Sequence, residues 1–247
     1  MNTRLPARCL SVAVSCMAAV AAHAEEPSSV SGDVSLVSDY TFRGLTQTNR
    51  KPALQGGIQY DSASGFYVGG WASSISWLSD GADDVSSNVE IDVFAGFTGS
   101  WGEHVTYDVG LNYYWYPGTY PSGFTDPDTL EGYFSVGFSI FTVKYNHAFT
   151  DLFGIDGAAG SGYLDLSLSQ AFAETWTFDA HVGRQWVDGA SALDYTDWSL
   201  GVSKDFGNGF GLSLAYVDTN AEKDIYTNAF GKYLGKGTGI LTLSKSF

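Results

Sequence analysis

One pattern limits what this chain can fold into: apolar and polar residues alternate with a period of two, again and again along its length. The clearest case sets Val105, Tyr107, Val109, Leu111, Tyr113 and Trp115 against Thr106, Asp108, Asn112, Tyr114 and Tyr116. Successive side chains of a strand point to opposite faces, so each such stretch is a strand with one greasy and one wet side. The last one, 240–247, places Leu241, Leu243 and Phe247 opposite Thr242, Ser244 and Ser246, and the sequence closes on the aromatic Phe247. A final strand must pair with something earlier or leave an open edge. In a bilayer an open edge is not tolerated, so closure onto the first strand is the expected solution.

About twelve such segments can be marked, with ten or fourteen also compatible, because the link between the strands 130–138 and 141–149 lacks Gly, Asn and Pro. Their lengths, roughly 8–12 residues, suit tilted strands that cross a membrane. The connections alternate long and short along the whole chain. The long ones are polar, such as 43–52, 79–86, 117–128 and 218–238; the short ones are turns, such as 61–65 and 99–104. Outer-membrane barrels are asymmetric in this way, with short periplasmic turns and long external loops. The expected fold is therefore all-β, a single antiparallel transmembrane barrel over 25–247.

The start of the chain agrees. Arg4 and Arg8 precede an uncharged apolar run, and Ala22-His-Ala24 is a small-x-small cleavage site followed by Glu25 and Glu26. Residues 1–24 read as a secretory signal peptide, too short to span as a helix. Both cysteines, Cys9 and Cys16, lie inside it, so the remainder has neither disulfide nor thiolate chemistry. The formal net charge is −15. The signal segment contributes only Arg4 and Arg8, so what remains is more acidic still. Such a surface repels nucleic acid and attracts cations.

Aromatic residues fall near strand ends, as interfacial girdles require. Tyr40, Phe42, Trp77, Trp115, Phe149, Trp198 and Tyr216 belong to the outer girdle; Tyr60, Tyr67, Phe97, Phe141, Trp176, Phe210 and Phe247 belong to the inner one. Trp71 stands mid-strand on the face shared by Tyr67 and Ile75.

With the apolar parity facing lipid, the opposite parity lines the lumen. The lumen candidates are Asp39, Gln55, Glu90, Asp92, Asp108, Asn112, Lys144, Asp165, Asp179 and His181, with Arg43 at the mouth. Arg43 can pair with Asp39, narrow the mouth, or join Arg50, Lys51 and Arg184 in binding lipopolysaccharide phosphates. Carboxylates outnumber bases, so an open lumen would favour cations. Bulk on the same parity (Phe94, Tyr114, Tyr116, Tyr163) argues instead for a filled, non-conducting barrel with a structural or adhesion role. The loop acids Asp80, Asp83, Asp84, Asp126, Asp128 and Glu131 lack the ligand ladder of a dedicated calcium loop. No Gly-x-Ser-x-Gly occurs, and His147 has Phe149, not Ser, beside it. Neither a catalytic residue, a resident metal nor a cofactor is expected.

Ser38-Asp-Tyr-Thr-Phe-Arg-Gly44, Gln47-Thr48, Pro52-Ala-Leu-Gln-Gly56, Tyr107-Asp-Val-Gly110, Tyr114-Trp-Tyr-Pro-Gly118 and Ser161-Gly-Tyr-Leu-Asp165 together resemble the TorF-type porin family, also catalogued as Gcw_chp. The resemblance runs through the whole chain after the signal segment. It implies a Gram-negative outer-membrane barrel that passes small solutes, with no established substrate or catalytic residue. The partners this location implies are outer-membrane lipids and lipopolysaccharide, the barrel-assembly machinery acting on the strand that ends in Phe247, and small solutes.

Overall fold

The computed structural model describes residues 28–247; the signal segment 1–24 lies outside them. The strands are β1 (Ser29–Val37), β2 (Thr41–Phe42), β3 (Leu45–Thr46), β4 (Ala53–Asp61), β5 (Phe66–Ser74), β6 (Val89–Trp101) and β7 (Val105–Trp115). They continue with β8 (Thr129–Phe138), β9 (Phe141–Ala148), β10 (Gly162–Ala173), β11 (Trp176–Trp186), β12 (Tyr195–Gly207), β13 (Phe210–Thr219) and β14 (Thr238–Ser246). A single turn of 3₁₀ helix covers Ser191–Leu193.

Twelve of these strands form a closed antiparallel barrel in which each pairs with its neighbours in sequence and β1 pairs with both β4 and β14. Leu36 lies between Leu243 and Leu54 at this seam. Closure extends to the last residue: Gly32 N–H donates to Phe247 O and Phe247 N–H to Gly32 O, both at 3.0 Å. The Phe247 ring, 76% exposed, covers Gly32, where any Cβ would stand 2.8 Å from it. The ring thus seats only on a glycine. Each backbone group left unpaired in hydrocarbon costs several kcal/mol, so the seam matters more than any single side chain.

Long and short connections alternate around the barrel. β8 and β9 are joined by Ser139 and Ile140 alone, with Ser139 in the left-handed region at φ 57°. That conformation replaces the glycine the sequence lacks there, and it fixes the strand number at twelve.

The outer faces carry the apolar parity. Leu54, Ile58, Val93, Phe97, Val109, Leu111, Leu241 and Leu243 are all exposed on the isolated chain. Trp115, Phe149, Trp198 and Tyr216 form a band at the outer end; Tyr60, Phe97, Phe141, Trp176 and Phe210 form one at the other.

Three expectations fail. Tyr40 and Phe42 leave the wall, because β1 ends at Val37 and the chain turns inward. Trp77 packs edge-on against Tyr116 at 5.5 Å in the interior cluster. On β5 the parity is reversed: Tyr67 is buried and Trp71 half-buried inside, while Phe66, Val68, Gly70 and Ala72 face out. Tyr and Trp carry both an apolar ring and a polar handle, and the barrel interior packs the rings and bonds the hydroxyls of Tyr40 and Tyr67, although the buried Trp77 Nε1 has no partner. Tyrosines also lie across glycines of neighbouring strands: Tyr67 over Gly96, Tyr133 over Gly110, Tyr163 over Gly183. This is one physical use of the high glycine and tyrosine content.

The core therefore sits in the outer half of the lumen. Val37, Tyr40, Ile75, Leu78, Val85, Tyr114 and Tyr116 are buried there, with Phe42, Trp71 and Phe153 packed on them.

Candidate functional site

The segment 38–52, expected to be a polar external loop, folds into the barrel as the hairpin β2–β3. Its turn residues, Arg43 at φ 46° and Gly44 at φ 79°, are both left-handed, as a two-residue turn matching strand twist requires. Gly44 lies against the β12 wall, where an added Cβ would meet Asp197 Cβ at 2.5 Å. Arg43 crosses the lumen. Its Nη2 donates to Glu131 Oε2 on β8 at 2.7 Å and its Nη1 to Gln185 Oε1 on β11 at 2.8 Å. The guanidinium also stands 4.7 Å from the Phe42 ring and 4.4 Å from that of Tyr163. Burial works against the arginine charge, but Glu131 more than offsets it and raises the pKa further.

The hairpin is tied to its surroundings on several sides. Thr46 N–H donates to Leu234 O at 3.1 Å, and Arg50 donates to Tyr233 O. Gln47 O accepts from Ser76 N–H and Trp77 N–H at 2.8 and 3.0 Å. Asp39 accepts from Thr48 Oγ1 at 3.0 Å and also from Thr46 Oγ1. Burial raises its pKa, opposed by those hydroxyls and by Arg50. Asp39 thus holds the hairpin's own backbone in shape, while the partner of Arg43 is Glu131.

Below the hairpin lies a cavity of about 180 Å³. Asp39, Arg43, Gln55, Asp92, Asn112, Lys144, Asp165, Asp179 and His181 border it; Glu90 and Asp108 lie outside its wall. Glu90 Oε1 accepts from Tyr40 Oη at 3.1 Å, and Asp92 Oδ2 from Asn112 Nδ2 at 3.4 Å. Asp108 accepts from Tyr67 Oη at 2.6 Å, and Tyr67 also meets Tyr133. The Lys144 ammonium stands 4.0 Å from the Tyr133 ring. Gln55 donates to Ser73 and accepts from Ser35. Asp179 accepts from Ser169 at 2.7 Å. His181 bridges two carboxylates, with Nδ1 2.8 Å from Asp165 Oδ2 and Nε2 3.1 Å from Asp197 Oδ2.

The two ends differ in solvation. At the hairpin end Glu90, Asp92, Glu131 and Asp197 are buried. Towards the opposite end Thr98, Ser135, Thr142, Ser167, Asp179 and Ser203 are only half-buried, and Ser169 is exposed. The interior is thus packed at the end of the long loops and more loosely filled at the end of the short turns, where Thr177 and Ser244 are nonetheless buried.

Sequence reasoning missed Glu131, which it read as a loop acid; it lies on β8, two residues inside the barrel end, on the inward parity. The hairpin too left a mark: Thr-Phe-Arg-Gly-Leu-Thr sets a glycine between short β-prone pairs, a turn signal hidden by the alternation continuing through it.

Several solved structures share this architecture. The KdgM porin superposes with a TM-score of 0.54 at 8% identity, over 88% of this chain and 98% of that one. The NanC porin gives 0.54 at 11% identity, over 87% and 98%. An outer-membrane channel from Pseudomonas putida F1 gives 0.50 at 11%, over 91% and 97%. At such identities the likeness is one of fold, that of porins and outer-membrane channels. No curated protein matches the chain. Residues 21–247 match the family described as bacterial proteins of unknown function, Gcw_chp, and the chain belongs to that family.

Proposed function

We propose that this chain is a passive porin-like channel of the bacterial outer membrane, passing small solutes with a preference for cations, and that the hairpin β2–β3 restricts its outer half. The observation that carries the reading is the charge of the interior. Asp39, Glu90, Asp92, Asp108, Glu131, Asp165, Asp179 and Asp197 face Arg43, Lys144 and His181. Field lines concentrate in a low-dielectric tube, so this surplus raises the cation concentration inside and sets selectivity. The half-buried polar residues at the short-turn end support a water-filled approach to it.

The KdgM porin has a structure in complex with disordered oligogalacturonate, a polyanion. That specificity is not carried over, because an interior dominated by carboxylates repels such a ligand. The exposed apolar belt and its aromatic bands support contact with outer-membrane lipid and lipopolysaccharide, and the exposed Phe247 at the seam supports recognition by the barrel-assembly machinery.

A second reading, a non-conducting barrel with a structural role, is favoured by the packed hairpin. Reversal potential in a planar bilayer under a KCl gradient separates the two. The channel reading expects discrete steps that reverse on the cation side, and a weaker preference in Asp179→Asn. Folded protein without steps supports the structural reading, and reversal on the anion side refutes cation preference.

A further inference from the structure

The cavity wall contains buried polar atoms with no hydrogen-bond partner. Among the described residues these are Asp39 Oδ2, Asp92 Oδ1 and Asn112 Oδ1. All three are acceptors, and no buried donor on the wall is left unmatched. A wall with spare acceptors only is suited to a positively charged ligand.

The three are not equivalent. Asp39 already has two threonine hydroxyls and the field of Arg50. Asp92 and Asn112 differ. They are 5% and 8% exposed, on adjacent strands, with Asn112 Nδ2 pointed at Asp92 Oδ2 at 3.4 Å. That contact fixes which end of the amide faces the carboxylate, and so leaves Asn112 Oδ1 as the free acceptor. Glu90, two residues from Asp92 on the same face, is 2% exposed and bound by the Tyr40 hydroxyl. The interior ion pairs place Arg43 on Glu131 and His181 on Asp165 and Asp197; the groups hydrogen-bonded to Glu90 and Asp92 are the neutral hydroxyls of Tyr40 and Tyr116 and the amide of Asn112. A buried carboxylate left without an opposite charge costs several kcal/mol.

We propose that Asp92 and Asn112, backed by Glu90, form a binding station for a small inorganic cation on the channel wall. Carboxylate and amide oxygens are the ligands hard cations take. Two spare protein oxygens fall far short of a six- to eight-oxygen shell, so the ion keeps most of its water. Such a site binds firmly enough to draw an ion in and loosely enough to let it go, as conduction requires. The inference rests on the channel reading for its role in transport, and on the orphaned oxygens alone for the site itself.

Terbium tests the site without reference to conduction, since Tyr114, paired with Asp92 across β6–β7, and Tyr40 can sensitise its emission. Tb³⁺ is titrated into detergent-solubilised protein at neutral pH with tyrosine excitation, for the natural chain, Asp92→Asn, Asn112→Leu and the loop control Asp83→Asn. The expected result is sensitised emission whose apparent affinity falls about tenfold or more in the two wall variants and stays unchanged in the control. Asp92→Asn is isosteric and removes an uncompensated charge, so it should fold. Equal titrations for the natural chain and both wall variants overturn the proposal, since the ion then binds at the loop acids. Absence of emission from the natural chain also overturns it. Loss of emission in the wall variants, together with a natural chain that gives no conductance steps, upholds the site and refutes the channel reading; steps with emission unchanged in those variants do the reverse.

Discussion

Replacing Arg43 by Met probes the contact that holds the hairpin across the lumen. Methionine keeps the length and apolar stem of the side chain but removes both charged hydrogen bonds. Arg43 and Glu131 have side chains 6% and 2% exposed. Without the arginine, Glu131 keeps one hydrogen bond, from Tyr114 Oη at 3.2 Å. Breaking a buried ion pair from one side costs about 3–5 kcal/mol. The left-handed backbone at position 43 gives nothing back, because methionine is no better suited to φ 46° than arginine. The protein can avoid part of this loss only by letting the hairpin leave and water reach Glu131. Urea unfolding in phospholipid vesicles, followed by tryptophan fluorescence, should therefore show a loss of up to that size, or the bilayer conductance should rise, or both. Adding Glu131→Gln removes the stranded charge, so the double variant should regain about 2 kcal/mol relative to additivity. Arg43→Met within about 0.5 kcal/mol of the natural chain at unchanged conductance would refute the reasoning, as would losses that simply add.

Three further outcomes are expected. Gly44→Ala forces a Cβ to 2.5 Å from Asp197 Cβ in a left-handed turn; stability should fall by about 1–3 kcal/mol, and chemical labelling of a cysteine placed at Thr46 should speed up. Tyr67→Phe removes the donor to buried Asp108 and should cost about 1–3 kcal/mol in the same unfolding assay. Burial raises the Asp39 pKa, so the folded state favours its neutral form: the stabilisation is full below the unfolded-state pKa and is lost as pH rises through the folded one. Asp39→Asn should flatten that part of the stability profile, and an unaltered slope in pH-dependent urea unfolding would count against the assignment.

Much of the barrel was legible in the sequence because lipid enforces parity. Val105 to Tyr116 must alternate if one side meets hydrocarbon, and so it reads unambiguously. The same rule fails where residues satisfy either side. On β5 the outward positions Gly70, Ala72 and Ser74 are too small to mark a lipid face, while the interior accepts Tyr67 through its hydroxyl and Trp71 through packing against Tyr40. Tyr40 and Phe42 continue the period of β1 after the chain has left the wall, and periodicity has no term for leaving. The acidic inner parity was visible residue by residue. The pairing of Arg43 with Glu131 was not, because it joins positions 88 apart in sequence and depends on a hairpin folding inward.

The central claim is that this hairpin closes the outer half of an acidic tube. Single-channel conductance of the natural chain, recorded beside a variant whose residues 41–46 are replaced by a flexible linker of equal length, tests it most directly. The account predicts larger steps for the variant, with the reversal potential still on the cation side. Indistinguishable steps from two well-folded proteins would contradict it.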